Sequence, residues 1–254
     1  MRMKSLAVAL SAMTLAVGAQ AAGFVNGGFE AGDTSSWGVG QGSRGGQNLS
    51  SINPSSYLNN LTGRSAIVGP GLDPIHGSAM QSIVYSGNSA FRAEDRQFGG
   101  LVSVISQTVT NYTDPDIFFA WMAVLEGAHG LQDAAAMIIT LEDLTAGGAP
   151  IISRIYSAGG GNTDARFISH LGDFITPVWQ IEQLTIDASR FGHDFRLTVL
   201  ATDCGPTGHY GYVYVDGFGA VNPPTGTVPE PGSLALAAVA LMGLAAARRR
   251  SRKA

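Results

Sequence analysis

A single cysteine, Cys204, stands in a chain of 254 residues. No internal disulfide can form, which excludes a disulfide-stapled scaffold. Charge is scarce as well: Asp, Glu, Lys and Arg make up 13% of the chain, against a usual share of about 25%. That excludes a coiled coil and a charge-driven disordered chain. No repeat of roughly 20–50 residues recurs, so a propeller or solenoid is excluded. The apolar runs at residues 6–17 and 234–247 fall short of the ~20 residues that a membrane-spanning helix needs. Familiar catalytic signatures are missing too: there is no Gly-x-Ser-x-Gly elbow, no His-Glu-x-x-His and no phosphate-cradling glycine loop.

What is present begins with the two ends. Arg2 and Lys4 precede the apolar run 6–17, and Ala19-Gln20-Ala21 supplies small residues for cleavage. This is the pattern of a secretory signal peptide, here over residues 1–22. At the other end, Pro229-Glu230-Pro231 leads into the apolar run 234–247, followed by Arg248, Arg249, Arg250, Arg252 and Lys253. Basic residues behind an apolar helix stay on the cytoplasmic side, so a plain C-terminal anchor is one reading. The order of Pro-Glu-Pro motif, short apolar helix and Arg-rich end resembles the PEP-CTERM sorting signal over residues 229–254. The resemblance implies export from a Gram-negative cell and transient inner-membrane anchoring through the C-terminal helix. It implies cutting near Pro229, Glu230 and Pro231 by an exosortase-type processing protease, then release to the cell surface or the biofilm matrix. It reports sorting, not activity.

Between these ends the body carries eight arginines, no lysine and eighteen acids, a net charge of −10. Such a body does not favour nucleic acid or anionic lipid, which leaves cations and neutral glycans as suitable partners. No helix-period stretch appears there. Short β-rich runs fall at residues 80–85, 101–110, 117–125, 136–144, 151–157, 178–186, 195–202 and 210–218, separated by Gly, Asn, Asp and Pro. Phe195, Leu197, Val199 and Ala201 alternate with Arg196, Thr198 and Thr202, the pattern of a half-buried strand. These runs predict an all-β fold, an antiparallel β-sandwich or jelly roll over residues 23–221. Residues 38–71, rich in Gly, Ser and Asn, read as surface loops with at most short strands. Residues 222–228 read as a stiff Pro/Gly linker.

Asn26-Gly27-Gly28-Phe29-Glu30, followed by Trp37, opens the body. This start resembles carbohydrate-binding modules with the galactose-binding-like jelly-roll fold. The resemblance implies that the first segment pairs with the last strand. It also implies a structural calcium that takes one acid from each; Glu30 matches the first and Asp216, in Val215-Asp216-Gly217-Phe218, matches the second. Calcium takes six to eight hard oxygens, so two carboxylates with backbone carbonyls suit it. The alternative is that both acids cap loops at the surface.

Asp203-Cys204-Gly205-Pro206-Thr207-Gly208-His209, leading into the alternating Tyr210, Tyr212 and Tyr214, reads as a hairpin. It resembles a segment of bacterial surface and adhesion proteins of the same jelly-roll type, as does His129 with Glu126 upstream. Asp203, Cys204 and His209 have metal-suitable donors but lack the spaced Cys/His pairs of a zinc site. Cys204 reads first as a buried small hydrophobe rather than as a nucleophile or an intermolecular disulfide partner.

Glycosidase chemistry needs two carboxylates flanking one bond. Glu126, Asp133, Glu142, Asp143 and Glu182 are available, and nothing in their spacing pairs any two. Sugars are held by aromatic faces with polar groups beside them. Trp121 lies in a wholly apolar run and reads as core, whereas Trp179 is ambiguous. Tyr57, in the polar loop, is the ring freest to reach a ligand; Trp37, in a Gly/Ser loop near the first motif, is a second candidate, although the resemblance to these modules implies that such a Trp often packs under the sheet. The leading expectation is an exported, non-catalytic jelly-roll protein on surface or matrix polysaccharide. The alternative is a structural or adhesion protein that binds protein partners or itself, and a secreted glycan hydrolase comes third.

Overall fold

The long strands alternate their side chains between a dry interior and an outer face, and that alternation sets the architecture. The computed structural model describes residues 23–161 and 164–222. The signal peptide, the linker beyond Asn222 and the sorting signal lie outside the described residues. One sheet has the order β1 (Gly38–Ser43), β4 (Leu101–Tyr112), β11 (His193–Thr202), β6 (Ala136–Asp143), β7 (Ala149–Ser157). The other has the order β2 (Ala66–Val68), β3 (Ala90–Ala93), β12 (Gly211–Gly219), β5 (Asp116–Glu126), β9 (Asp173–Ile175), β8 (Ile168–His170), with β10 (Gln180–Thr185) also paired to β5. Every pairing is antiparallel. The chain crosses repeatedly between the sheets, among other places from β4 to β5 and from β11 to β12, so the fold is an antiparallel β-sandwich.

Period two runs through the packing. Ile117, Phe119, Trp121, Ala123 and Leu125 of β5 face the interior, with Phe195, Leu197, Val199 and Ala201 of β11 and Val213 and Val215 of β12. The alternate residues are not left wet. Met122, Val124, Tyr210, Tyr212 and Tyr214 pack outward against Met80 and Ile83 of the 69–89 loop. Val102, Val104, Ile138 and Leu200 pack outward against Leu49, Ile52, Tyr57 and Leu58. Both sheets are therefore covered in part by irregular chain: segment 38–71 is mainly surface loop with two short strands, as expected, and only Leu49, Ile52, Tyr57 and Leu58 of it pack onto the outer face.

Two expectations change here. Residues 80–85 form no strand: Gln81 N donates to Pro177 O, Ile83 N to Gly71 O, and Tyr85 N to the Asp216 side chain. Their backbone groups go to scattered partners while their apolar side chains cover β12. The three- and four-residue strands β3, β8 and β9 stand where no strand was expected.

Candidate functional site

The chain start and β12 meet at a pair of glycines. Phe218 N donates to Gly27 O at 3.0 Å. A Cβ on Gly27 would lie 2.2 Å from Phe218 O, so only glycine allows this approach. A Cβ on Gly28 would lie 3.6 Å from Asp216 Oδ1 and 3.8 Å from Glu30 Cγ, which puts both acids beside the same residue. The loop at residues 85–89 wraps both carboxylates. Asp216 Oδ2 accepts from Tyr85 N and Ser86 N, each at 3.0 Å. Glu30 accepts from Asn88 N, Asn88 Nδ2 and Ser89 N. Gly87 turns between them at φ 73°.

Asp216 is fully buried, and its Oδ1 has no hydrogen-bond partner. Burial, with the Glu30 charge adding to it, pushes the Asp216 carboxyl up to about 7, although the amides of Ser86, Gly217 and Tyr85 pull it down. An orphaned carboxylate oxygen beside a second acid is the donor chemistry that a hard cation satisfies. Both acids cap the 85–89 loop, the alternative that the sequence left open, and the unpartnered Asp216 Oδ1 is the one oxygen of the pair still open to a donor or a cation.

On its other side the same loop builds a groove of about 280 Å³ lined by Gln81, Ser82, Val84, Tyr85 and Trp179. The Tyr85 and Trp179 rings meet edge to face with centroids 5.6 Å apart. The Trp179 indole N–H donates to Ser82 O at 2.8 Å, and Trp179 N donates to Gln81 Oε1 at 3.1 Å. Both rings are half-buried and held in place.

Trp37 is a correction. It is 7% exposed, packs on Phe24, Phe29 and Phe218, and its indole N–H donates to Asn26 O at 3.1 Å. It is a core residue and offers no face to a ligand. Tyr57 is half-buried: its ring lies over Gly42, and its hydroxyl accepts from Gln47 Nε2 at 3.3 Å. Trp121 is buried, as its apolar run predicts. Tyr210, Tyr212 and Tyr214 lie under the 69–89 loop and donate to Asp173 and Asp73.

The scattered acids serve structural partners. Glu142 holds Arg196 and Ser55, Asp143 holds Arg190 and His193, and Glu182 holds Arg154, Tyr156 and the Trp121 indole. Glu126 accepts from Tyr210 N. Cys204 is buried, and its sulfur sits 3.4 Å from His209 Nδ1. Sequence reading passed over the Tyr85–Trp179 groove because 94 residues separate the rings; the one available signal was a Trp just ahead of an amphipathic strand.

No curated protein sequence matches the chain. Among solved structures it is similar to TmCBM61, a carbohydrate-binding module solved with β-1,4-galactotriose, at 15% identity and a TM-score of 0.42 over 77% of this chain and 94% of that one. It is similar to Caldicellulosiruptor saccharolyticus CBM27-1 solved with mannohexaose, at 12% identity and a TM-score of 0.39 over 80% and 98% of the two chains. A cleaved adhesin domain of Lys-gingipain from Porphyromonas gingivalis is similar at 12% identity and a TM-score of 0.35 over 76% and 94%. Among the described residues no helix is long and apolar enough to cross a membrane. Residues 227–250 match the PEP-CTERM protein-sorting motif, so this β-sandwich is the body of an exported protein that carries a PEP-CTERM sorting signal.

Proposed function

We propose that the protein is a non-catalytic β-sandwich that associates with cell-surface or matrix polysaccharide, with calcium ordering its binding loop. One observation carries the reading: the Tyr85–Trp179 groove and the Asp216 carboxylate share one short loop. Calcium between Glu30 and Asp216 would pin residues 85–89 and with them the Tyr85 ring. The CH-rich faces of a sugar would stack on Trp179 and Tyr85, with Gln81 and Ser82 supplying polar groups at the rim. A shallow groove of this size gives weak affinity per site, which repeated contacts along a polymer can raise. After export, an exosortase-type protease cuts near Pro229, Glu230 and Pro231 and frees the body from its anchor.

A glycan and polysaccharide array tests this, using residues 23–228 in calcium and again in EDTA. We expect binding in calcium that EDTA removes. Trp179→Ala should weaken it about tenfold, the scale of one lost aromatic contact. Tyr57→Ala tests the ring singled out by the sequence and should change little. Binding that survives EDTA would keep the sugar and sink the role of calcium. Absence of binding by a folded protein would favour the adhesion reading.

A further inference from the structure

Near the start of β12, away from the carboxylate pair, a buried thiol and two imidazoles come together. His129 sits in the connection between β5 and β6; Cys204 and His209 sit in the turn between β11 and β12. His129 Nε2 and His209 Nδ1 are 3.0 Å apart although 80 residues separate them in sequence. His209 Nδ1 is 3.4 Å from Cys204 Sγ. One ligand atom from each residue lies within 4.8 Å of the other two. A tetrahedral zinc with Zn–N near 2.0–2.1 Å and Zn–S near 2.3 Å needs ligand edges of about 3.3–3.6 Å. Two edges, at 3.0 and 3.4 Å, are close to that, and the third, between His129 and Cys204, falls within 4.8 Å, so a small turn of the exposed His129 ring completes the set.

The site is built without help from an ion. Arg44 is fully buried and donates to Gln47 O, Gln132 O, Asp133 O, Ala134 O and Asp203 O. Its guanidinium thus ties the His129 connection to the Cys204 turn. Gly205 N reinforces this by donating to Asp133 O at 2.7 Å. His209 N donates to Cys204 Sγ at 3.2 Å, the kind of contact that steadies a thiolate. His129 holds φ 69°, a costly conformation for a non-glycine residue, and turns its ring onto His209.

We propose that His129, Cys204 and His209 form a zinc(II) site with its fourth position open at the surface. Two imidazoles and a thiolate suit a borderline-soft transition ion, not calcium or magnesium. Zinc binding at Cys204 releases the thiol proton to solvent. His129 is exposed, and that leaves the fourth position to water or an incoming donor. The proposal stands apart from the polysaccharide reading, because it uses none of the same residues.

The test uses the full-length chain in detergent, reduced and stripped of metal, with zinc and cobalt(II) as probes. We expect one equivalent of zinc that excess calcium does not displace. Cobalt should give a thiolate-to-metal charge-transfer band and intense tetrahedral d–d bands. Cys204→Ser should abolish the charge-transfer band. His129→Gly removes an exposed ligand and relieves the positive φ, so it should fold normally yet lose zinc affinity by about 10–100-fold or more, at least the loss seen for supporting residues around metal sites. Failure to bind zinc, cobalt bound without a thiolate band, or affinity unchanged in His129→Gly would each overturn the proposal.

Discussion

A carboxylate with an unpartnered oxygen in a dry site is costly to ionise. Asp216 is that case, with its carboxyl pushed up to about 7 by burial and by Glu30. Without metal, its contribution to stability is full below the ordinary carboxylate pKa and is lost as pH rises from about 4 through about 7, at about 1.4 kcal/mol for each tenfold change in proton affinity. In EDTA, therefore, Asp216→Asn should be at least as stable as the native chain at pH 8 and should lose less stability between pH 4 and 8. Calcium at a hundred times its Kd should stabilise the native chain by about 2.7 kcal/mol, a Tm rise of roughly 5–10 °C for a domain of this size. The Asn variant should not respond. Melting curves at both pH values, with EDTA or calcium, check this. A calcium response retained by Asp216→Asn would place the ion elsewhere. His129 shows what a sequence hides at this scale. No spacing rule pairs it with His209, because their meeting depends on the lengths of strands β5 and β12 and on the Arg44 tie.

Single backbone approaches decide how elements meet, and Gly27 is the clearest. Its would-be Cβ collides with Phe218 O, so Gly27→Ala must push the chain start off β12. Overpacking of this kind costs about 1–3 kcal/mol. It should also weaken calcium binding, because Glu30 rides on the displaced segment while Asp216 stays with β12. Urea unfolding and a calcium titration of the same variant check both; a stability loss with calcium affinity intact would separate Glu30 from the site. The long strands were legible because β4, β5, β6, β11 and β12 each hold at least eight residues of β-rich sequence between turn residues, with period two clear in β11 and β12. The short strands β2, β3, β8 and β9 carry too few residues to show a period. The run 80–85 misleads for a physical reason: Met80 and Ile83 are apolar because they pack with Tyr212 and Tyr214 over the sheet, not because they pair within it. Trp37 misleads in the same way. Its Gly/Ser neighbours mark a turn, and the ring folds back from that turn into an aromatic cluster.

Across the whole molecule, one proposed metal site takes a ligand from β12 and the other takes ligands from the turn that leads into it. His209 precedes Asp216 by seven residues, which in extended chain is about 23 Å. Between them, Tyr212 and Tyr214 face the covering loop while Val213 and Val215 face the core. The donor sets differ in kind, with hard carboxylates at one place and a thiol with imidazoles at the other. Each site ties a different pair of segments: residues 26–30 to β12, and the β5–β6 connection to the β11–β12 turn. Sites farther apart than about 10 Å without shared partners combine additively to within about 0.5 kcal/mol. The double variant Asp216→Asn with His129→Gly should therefore show the sum of the two single effects on unfolding in saturating calcium and zinc. Dialysis into calcium-free buffer should remove the calcium-dependent part and leave the cobalt charge-transfer band unchanged. A coupling above about 1 kcal/mol would instead mean that β12 shifts as a unit when either ion binds. Metal at the thiol would then bear on the Tyr85 loop, and the two ions would act as one switch on the groove.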